Sequence, residues 1–286
     1  MNGIVLVDKP QGWTSHDVVA KLRGVYGLKR IGHSGTLDPM ATGLLAVFLG
    51  RATKAVEYSE AAEKEYIAHL RLGIETDTQD TTGAVLKTTG QIPDRAALEA
   101  VLPRFRGEIS QLPPMYSAIK VNGKKLYEIA RRGGEVERQP RRITIHSLDL
   151  IGEESGDYIL RVRCSKGTYV RTLCHDIGAA LGCGGAMSAL RRTRIGLYDV
   201  KDAHTMEELT SVTREAAESL VLPLESIFLE YPVIALTAVN EAHCRNGRDF
   251  TIAAADGIYR LHGQDGSFLM LAELKDHQVS ALKRFF

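Results

Sequence analysis

Gly32-His33-Ser34-Gly35-Thr36-Leu37-Asp38-Pro39-Met40-Ala41-Thr42-Gly43 is the stretch on which the reading of this chain turns. One carboxylate, Asp38, sits among glycines and small polar residues, and an apolar run at 44–49 follows. Glycines let another backbone or a ligand approach closely, and Pro39 biases Asp38 toward an extended conformation. The composition predicts a loop over 31–42 that presents a carboxylate just ahead of a buried strand. By spacing alone, the commoner meaning of Asp-Pro is a turn initiator.

Working outward, residues 3–7 read as a buried strand and Lys9-Pro10-Gln11-Gly12 as a turn. Thr14-Ser15-His16-Asp17 has the Thr-x-x-Asp form of a capping box. Val18, Val19, Leu22, Val25 and Tyr26 follow at helical spacing, and Gly27 stops the helix. Runs 44–49 and 65–72 are strands, and 73–83 is polar and turn-like. Residues 94–105 form a helix with Asp94 as N-cap. Runs 143–151 and 158–164 are paired strands, and 168–181 is an amphipathic helix that ends at Gly182. Strands and helices are interspersed without regular βα alternation. That predicts an α+β fold with a mainly antiparallel mixed sheet and flanking helices. A boundary near 229–232 divides a domain at 1–230 from a small β-rich module at 231–286. The module has short strands at 257–261 and 268–274 and a short helix at 240–244.

The chain has 286 residues, 44% hydrophobic and 25% charged, which excludes disordered and fibrous classes. No apolar run approaches the ~18 residues of a membrane helix. The N-terminal apolar stretch is short and lacks a basic flank, so a cytoplasmic protein is expected. Cys164, Cys174, Cys183 and Cys244 form no Cys-x-x-Cys pair, which favours reduced buried thiols over zinc. The net charge of +1 hides an asymmetry. Residues 120–142 carry eight Lys/Arg against three acids, and 161–194 carry seven against Asp176 alone. Residues 199–230 carry eight acids against Lys201 and Arg214. Segregation of this kind is the footprint of a polyanion partner. Gly32-His33-Ser34-Gly35-Thr36 is not a Gly-x-Ser-x-Gly elbow, and no dinucleotide fingerprint, Walker lysine, EF-hand or zincin spacing is present.

Gly32 to Pro39 resembles the catalytic motif of the TruB-type tRNA pseudouridine-55 synthases. Five further stretches resemble motifs of that family. Asp8 to Ser15 is similar to its Lys-Pro motif. Lys64-Glu65-Tyr66, with Leu72-Gly73 and Thr76 to Asp80, is similar to its tyrosine motif. Pro113 to Lys124 is similar to the run that leads into a basic thumb loop, and Cys164 to Arg171 to its arginine motif. Leu190-Arg191-Arg192-Thr193 is similar to the strand that closes the uracil pocket. The motifs occur in family order from residue 8 to about 195.

The resemblance implies a pseudouridine synthase fold, with 231–286 as a PUA-like RNA-binding domain. It implies isomerisation of uridine 55 in the tRNA T arm by base flipping, with no cofactor and no metal. Asp38 would be the catalytic carboxylate, through attack on C1′, a glycal route or addition to C6. Arg171 would pair with it, Tyr66 would stack on the base and could carry the C5 proton, Tyr169 and Leu190 would line the pocket, and His33 would sit beside the vacated space. Lys9 and Pro10 would support the loop, and Asp80 would hydrogen-bond near the site. Lys124, Lys125, Arg131, Arg132, Arg141 and Arg142 would bind RNA from a thumb at about 120–142, with Gly133-Gly134 as hinge. A monomer without membrane, protein partner or guide RNA is expected.

Two other readings stand beside this one. The first is a non-catalytic protein that folds tRNA through the same pocket; a turnover assay separates it. The second is the guide-RNA-dependent Cbf5/dyskerin type, separated by activity without added RNA or protein. Replacing Arg131, Arg132, Arg141 and Arg142 with Ala is expected to weaken RNA binding and flatten its salt dependence. Each lost phosphate contact reduces the slope by about 0.7–0.9. An unchanged slope would make the 120–142 run an ordinary solvated face.

Overall fold

The computed structural model covers the chain from Met1 to Phe286. Ala118, Asn122, Arg131, Arg132 and Glu135 lie outside the described residues, as do the side chains of Lys120, Val121, Lys124, Lys125 and Tyr127. The first half contains β1 (Gly3–Lys9), α1 (Ser15–Tyr26), β2 (Ile31–Ser34), β3 (Thr42–Leu49), α2 (Val56–Ala61), β4 (Lys64–Leu72), β5 (Ile74–Thr76), β6 (Val85–Thr88), α3 (Arg95–Val101) and β7 (Gly107–Gln111). After these come β8 (Lys120–Val121), β9 (Lys124–Lys125), α4 (Leu126–Ala130), β10 (Arg141–Glu154), β11 (Asp157–Cys164), α5 (Val170–Ala180), β12 (Gly185–Ile195), β13 (Tyr198–Asp199) and β14 (His204–Thr205). The chain ends with α6 (Met206–Ser211), α7 (Arg214–Ser219), β15 (Val233–Ala235), α8 (Ala238–Arg245), β16 (Gly257–His262), β17 (Phe268–Lys275) and β18 (Gln278–Arg284).

The main sheet runs β14-β1-β3-β12-β4-β11-β10-β7, with β2 on β3 and β13 on β12. Most pairings are antiparallel; β1–β14 and β3–β12 are parallel. This is the mixed, mainly antiparallel α+β architecture expected. One face of the sheet packs α1 through Val18, Val19, Leu22 and Tyr26 against Val5, Val7, Leu45 and Val47. Further along, α3 and α5 cover β4, β10, β11 and β12 through Leu98, Leu173, Ile177, Leu70, Leu148 and Leu160. The four-stranded sheet β15-β16-β17-β18 packs Leu271, Phe268 and Phe285 against Phe228, beside Ile4, Leu6 and Phe48 of the main sheet.

Local signals decide where several elements begin. The Thr14 hydroxyl accepts from Asp17 N, the Asp17 carboxylate accepts from Thr14 N, and Gly27 closes α1 at φ 61°. Asp94 caps α3 through Ala97 N. Two expectations need correction. Ile31–Ser34 is a strand rather than loop, because β3 offers it a ladder from Leu49 to Ala46. Within 73–83, Ile74–Thr76 pairs with Val85–Thr88 as a hairpin.

α5 lies so close to β12 that Gly178 faces Gly185 directly, and a Cβ at Gly178 would collide with the backbone of Gly184 and Gly185. Gly178→Ala is therefore expected to cost about 2 kcal/mol by overpacking. That corresponds to a Tm lower by roughly 4–8 °C for a chain of this size. A calorimetric Tm within a degree of wild type would contradict this packing.

Candidate active site

Asp38 projects from the turn between β2 and β3. The turn is fastened to the start of α1, where the buried Ser15 hydroxyl accepts from Leu37 N at 2.9 Å and donates to Leu37 O at 3.3 Å. Gly12 N donates to Pro39 O at 2.7 Å, and Leu37 is buried beneath the turn. Gly35 takes φ 66°, a left-handed conformation that glycine adopts without strain. These contacts hold the Asp38 side chain 40% exposed above an otherwise dry floor.

Arg171 meets Asp38 from the first turn of α5. Its Nε lies 3.2 Å from Asp38 Oδ2, and its Nη1 lies 3.4 Å from Asp80 Oδ2. Nη1 also donates to Thr78 O at 3.3 Å, and Nη2 donates to Tyr116 O at 2.8 Å. The guanidinium is thus shared between two carboxylates and two carbonyls, and its side chain is 8% exposed. Asp80 is itself saturated: its Oδ1 accepts from Thr78 Oγ1, Thr82 N and Thr82 Oγ1. Gln111, 2% exposed, clamps the backbone just before α5. Its Nε2 donates to Tyr169 O at 3.0 Å and its Oε1 accepts from Tyr169 N at 2.8 Å.

Burial pushes the Asp38 carboxyl above its usual value, and Arg171 opposes the shift. The neighbouring Asp80 charge adds to the rise and Lys9 counters it. Lys9 is fully buried under the turn, where its Nζ donates to Pro10 O at 2.9 Å and Trp13 O at 2.7 Å. Burial brings its pKa down to about 8, against the pull of Asp38.

Tyr66 stands on β4 opposite Arg192 of β12, half-buried against the core beside the Asp38 turn. Burial raises its phenol, and the Arg192 guanidinium opposes the rise. Burial raises the Tyr169 phenol, and Ser117, Arg141 and Arg171 oppose the rise. Leu190 is buried in the same core cluster as Leu37 and Ala41. His33 lies on β2 edge-on to His16, with ring centroids 5.4 Å apart. Burial, then His16 and Arg192, push its pKa down to about 4, so the ring is neutral at physiological pH.

The structure brings Asp38 and Arg171 into contact, and Tyr66, Tyr169, Leu190 and His33 are built into the strands and turns around them. Of the basic residues, Arg141 and Arg142 are exposed at the start of β10. Arg131, Arg132 and the side chains of Lys124 and Lys125 lie outside the described residues. Three contributors escaped the sequence reading as site residues. Ser15 stood there as part of the cap, Arg192 as part of a strand motif, and Gln111 carried no signal at all.

The mixed sheet with its flanking helices is that of the pseudouridine synthase fold. Two solved structures share this fold along 99% of this chain. The archaeal box H/ACA sRNP Nop10–Cbf5 complex is 26% identical, with TM-score 0.72 over 86% of that chain. A Cbf5–Nop10–Gar1 complex is 27% identical, with TM-score 0.73 over 85%. Residues 23–170 match the TruB family pseudouridylate synthase N-terminal domain, and residues 171–229 match the tRNA pseudouridylate synthase B C-terminal domain. Proteins named tRNA pseudouridine synthase B from Francisella philomiragia and Clostridium kluyveri are each 40% identical over all of this chain, and over 95% and 100% of their own lengths. The chain belongs to the TruB family of pseudouridylate synthases.

Removing the guanidinium leaves burial and Asp80 to act on Asp38 against Lys9 alone. Arg171→Gln is therefore expected to move the Asp38 titration to higher pH, because the cation favours the carboxylate and burial favours the acid. Carboxyl carbon NMR of aspartate-labelled protein, with Asp38→Asn for assignment, reads the midpoint. A midpoint unchanged or lower would contradict the pairing.

Proposed function

We propose that this chain converts a uridine of tRNA to pseudouridine, that the uridine is residue 55 of the T arm, and that Asp38 is the catalytic carboxylate. The contact that carries the reading is Arg171 Nε at 3.2 Å from Asp38 Oδ2, with Tyr66 near enough to feel the Asp38 charge. The reaction breaks the C1′–N1 bond, turns the uracil, joins C1′ to C5, releases the C5 proton and places a proton on the freed N1. One proton leaves and one enters, so product and substrate are isomers and no redox partner is needed.

A carboxylate is ionised without an activating base at neutral pH. Arg171 keeps Asp38 in that form against burial and fixes its direction. Asp38 then attacks C1′, assists departure of the base to a glycal, or adds to C6. Tyr66 stacks on the flipped base, an interaction worth roughly 1–3 kcal/mol, and its hydroxyl serves the C5 proton. Tyr169 and Leu190 close the pocket. His33, neutral and lacking a hydrogen bond at Nδ1, occupies the space beside the extruded nucleotide.

Flipping costs a few kcal/mol of unstacking. Phosphate contacts from Lys124, Lys125, Arg131, Arg132, Arg141 and Arg142 offset that cost. Residues 1–230 form the catalytic unit, and 231–286 form a PUA-like module that extends the RNA contact. The protein acts as a cytoplasmic monomer, without guide RNA, protein partner or cofactor.

RNA tritiated at uridine C5 tests the reading. One equivalent of label is expected in water per uridine converted, with EDTA present and nothing else added. Asp38→Asn should bind tRNA within about threefold of wild type and release label at least roughly 10³-fold more slowly, since the amide lacks charge and nucleophilicity. Label retained by RNA-bound wild-type protein would leave a tRNA binder. Asp38→Asn turnover within tenfold would remove Asp38 from the chemistry.

A further inference from the structure

Arg192 is a buried cation that the steps above leave without a task. Its side chain is 1% exposed, and it stands directly opposite Tyr66 in the β12–β4 ladder. Its Nε donates to Leu44 O at 2.7 Å and its Nη2 donates to Gly35 O at 3.0 Å, in the turn that carries Asp38. The Tyr66 phenol is the acidic group that faces this charge across the ladder, and each lowers the cost of ionising the other. Among the described residues its ionisable partner is Tyr66 and not a carboxylate. A guanidinium cannot shed its proton to relieve the cost of burial. Its charge is therefore fixed and buried directly across the ladder from one phenol, an arrangement that stabilises negative charge as it forms.

We infer that Arg192 is a positioning residue for proton transfer at uracil C5: it sets the Tyr66 hydroxyl against the Asp38 turn and stabilises the phenolate that takes the proton. The inference rests on the reading of Tyr66 given above. Once the C1′–C5 bond has formed, C5 carries both the sugar and its original hydrogen. The phenolate oxygen takes that hydrogen as a proton, the C–H electron pair restores the C5–C6 double bond, and the N1–C6 π pair returns to N1, which takes a proton from water. Tyr66 is left as a phenol and passes the proton to water.

The other groups facing the hydroxyl are Cys164 on β11 and Asp38, and both oppose the phenolate, as burial does. Arg192 is the cation that counters them. Lys9, His33 and Lys64 face Arg192 from β1, β2 and β4, and its charge pushes each of them toward the neutral form. Positive charge in this corner of the site is thereby concentrated on the group across the ladder from the phenol.

The test is single-turnover tritium release from pH 6 to 9 by Arg192→Met and Arg192→Lys. Each is made with tyrosine at 66 and with 3-fluorotyrosine placed there, whose phenol is more acidic. Arg192→Met is expected to slow release roughly 100-fold, the scale of one lost proton-transfer aid, with tRNA affinity within about threefold. Its rate should climb about tenfold per pH unit, since less phenolate is present at each pH. Arg192→Lys should fall between the two, because an ammonium keeps the charge but not the fork. Fluorotyrosine should recover at least about tenfold in either variant and change the wild-type rate little. A loss that is independent of pH and not recovered by fluorotyrosine would make Arg192 a packing residue and overturn the inference. If Arg192→Met does not fold, the Arg192→Lys pair gives the same comparison. Wild-type protein that releases no tritium would remove the pseudouridylation reading itself.

Discussion

The guanidinium of Arg171 is the constraint around which the site is arranged. A buried charge is tolerated when its donors are met and is costly when one partner is withdrawn. Here the donors reach Asp38, Asp80, Thr78 O and Tyr116 O, four groups from three separate parts of the chain. The β2–β3 turn, the segment after β5 and the stretch before β8 are thus tied to the first turn of α5. The rest of the fold fixes α5 so that this can happen. Gly178 lets it approach β12, Leu173 and Ile177 bury its apolar face, and Gln111 holds the backbone of Tyr169 where the helix begins.

Around that centre the chain buries more cations than anions. Lys9 lies below the Asp38 turn, Arg192 behind Tyr66, and Lys64 in a nest of the carbonyls of Ser59, Glu60 and Ala62. Burial lowers both lysines to about 8, whereas an arginine keeps its charge under the same pressure. The fixed positive charges therefore sit on Arg171 and Arg192, one against the carboxylate and one against the phenol. Burial disfavours the anion of both groups, and each has a guanidinium that opposes that pressure, which suits a reaction that needs a charged carboxylate and a proton acceptor close together.

What was legible in the sequence was either local or strongly patterned. The Thr14–Asp17 box and the Asp94 cap depend on residues three apart, so they are visible without a fold. The β10–β11 pair shows as two runs rich in β-branched and aliphatic residues with a turn between them. The strand Ile31–Ser34 was not legible, because Gly32, His33 and Ser34 have little intrinsic preference for extended structure. Its ladder comes from β3, whose residues Leu49 to Ala46 pair with it only after folding. Asp38 and Arg171 were named from motifs that lie 133 positions apart, and their contact is tertiary. Gln111 was invisible for the same reason: a lone glutamine at a strand end says nothing of a backbone 58 residues on.

The central claim is that this pocket isomerises one uridine of tRNA by itself. The most direct measurement is incubation of unmodified tRNA transcript with the purified chain alone, followed by chemical mapping of pseudouridine at single-nucleotide resolution. The account predicts one new pseudouridine, at position 55 in the T arm. Modification elsewhere, or modification that appears only when a guide RNA or partner protein is supplied, would contradict it.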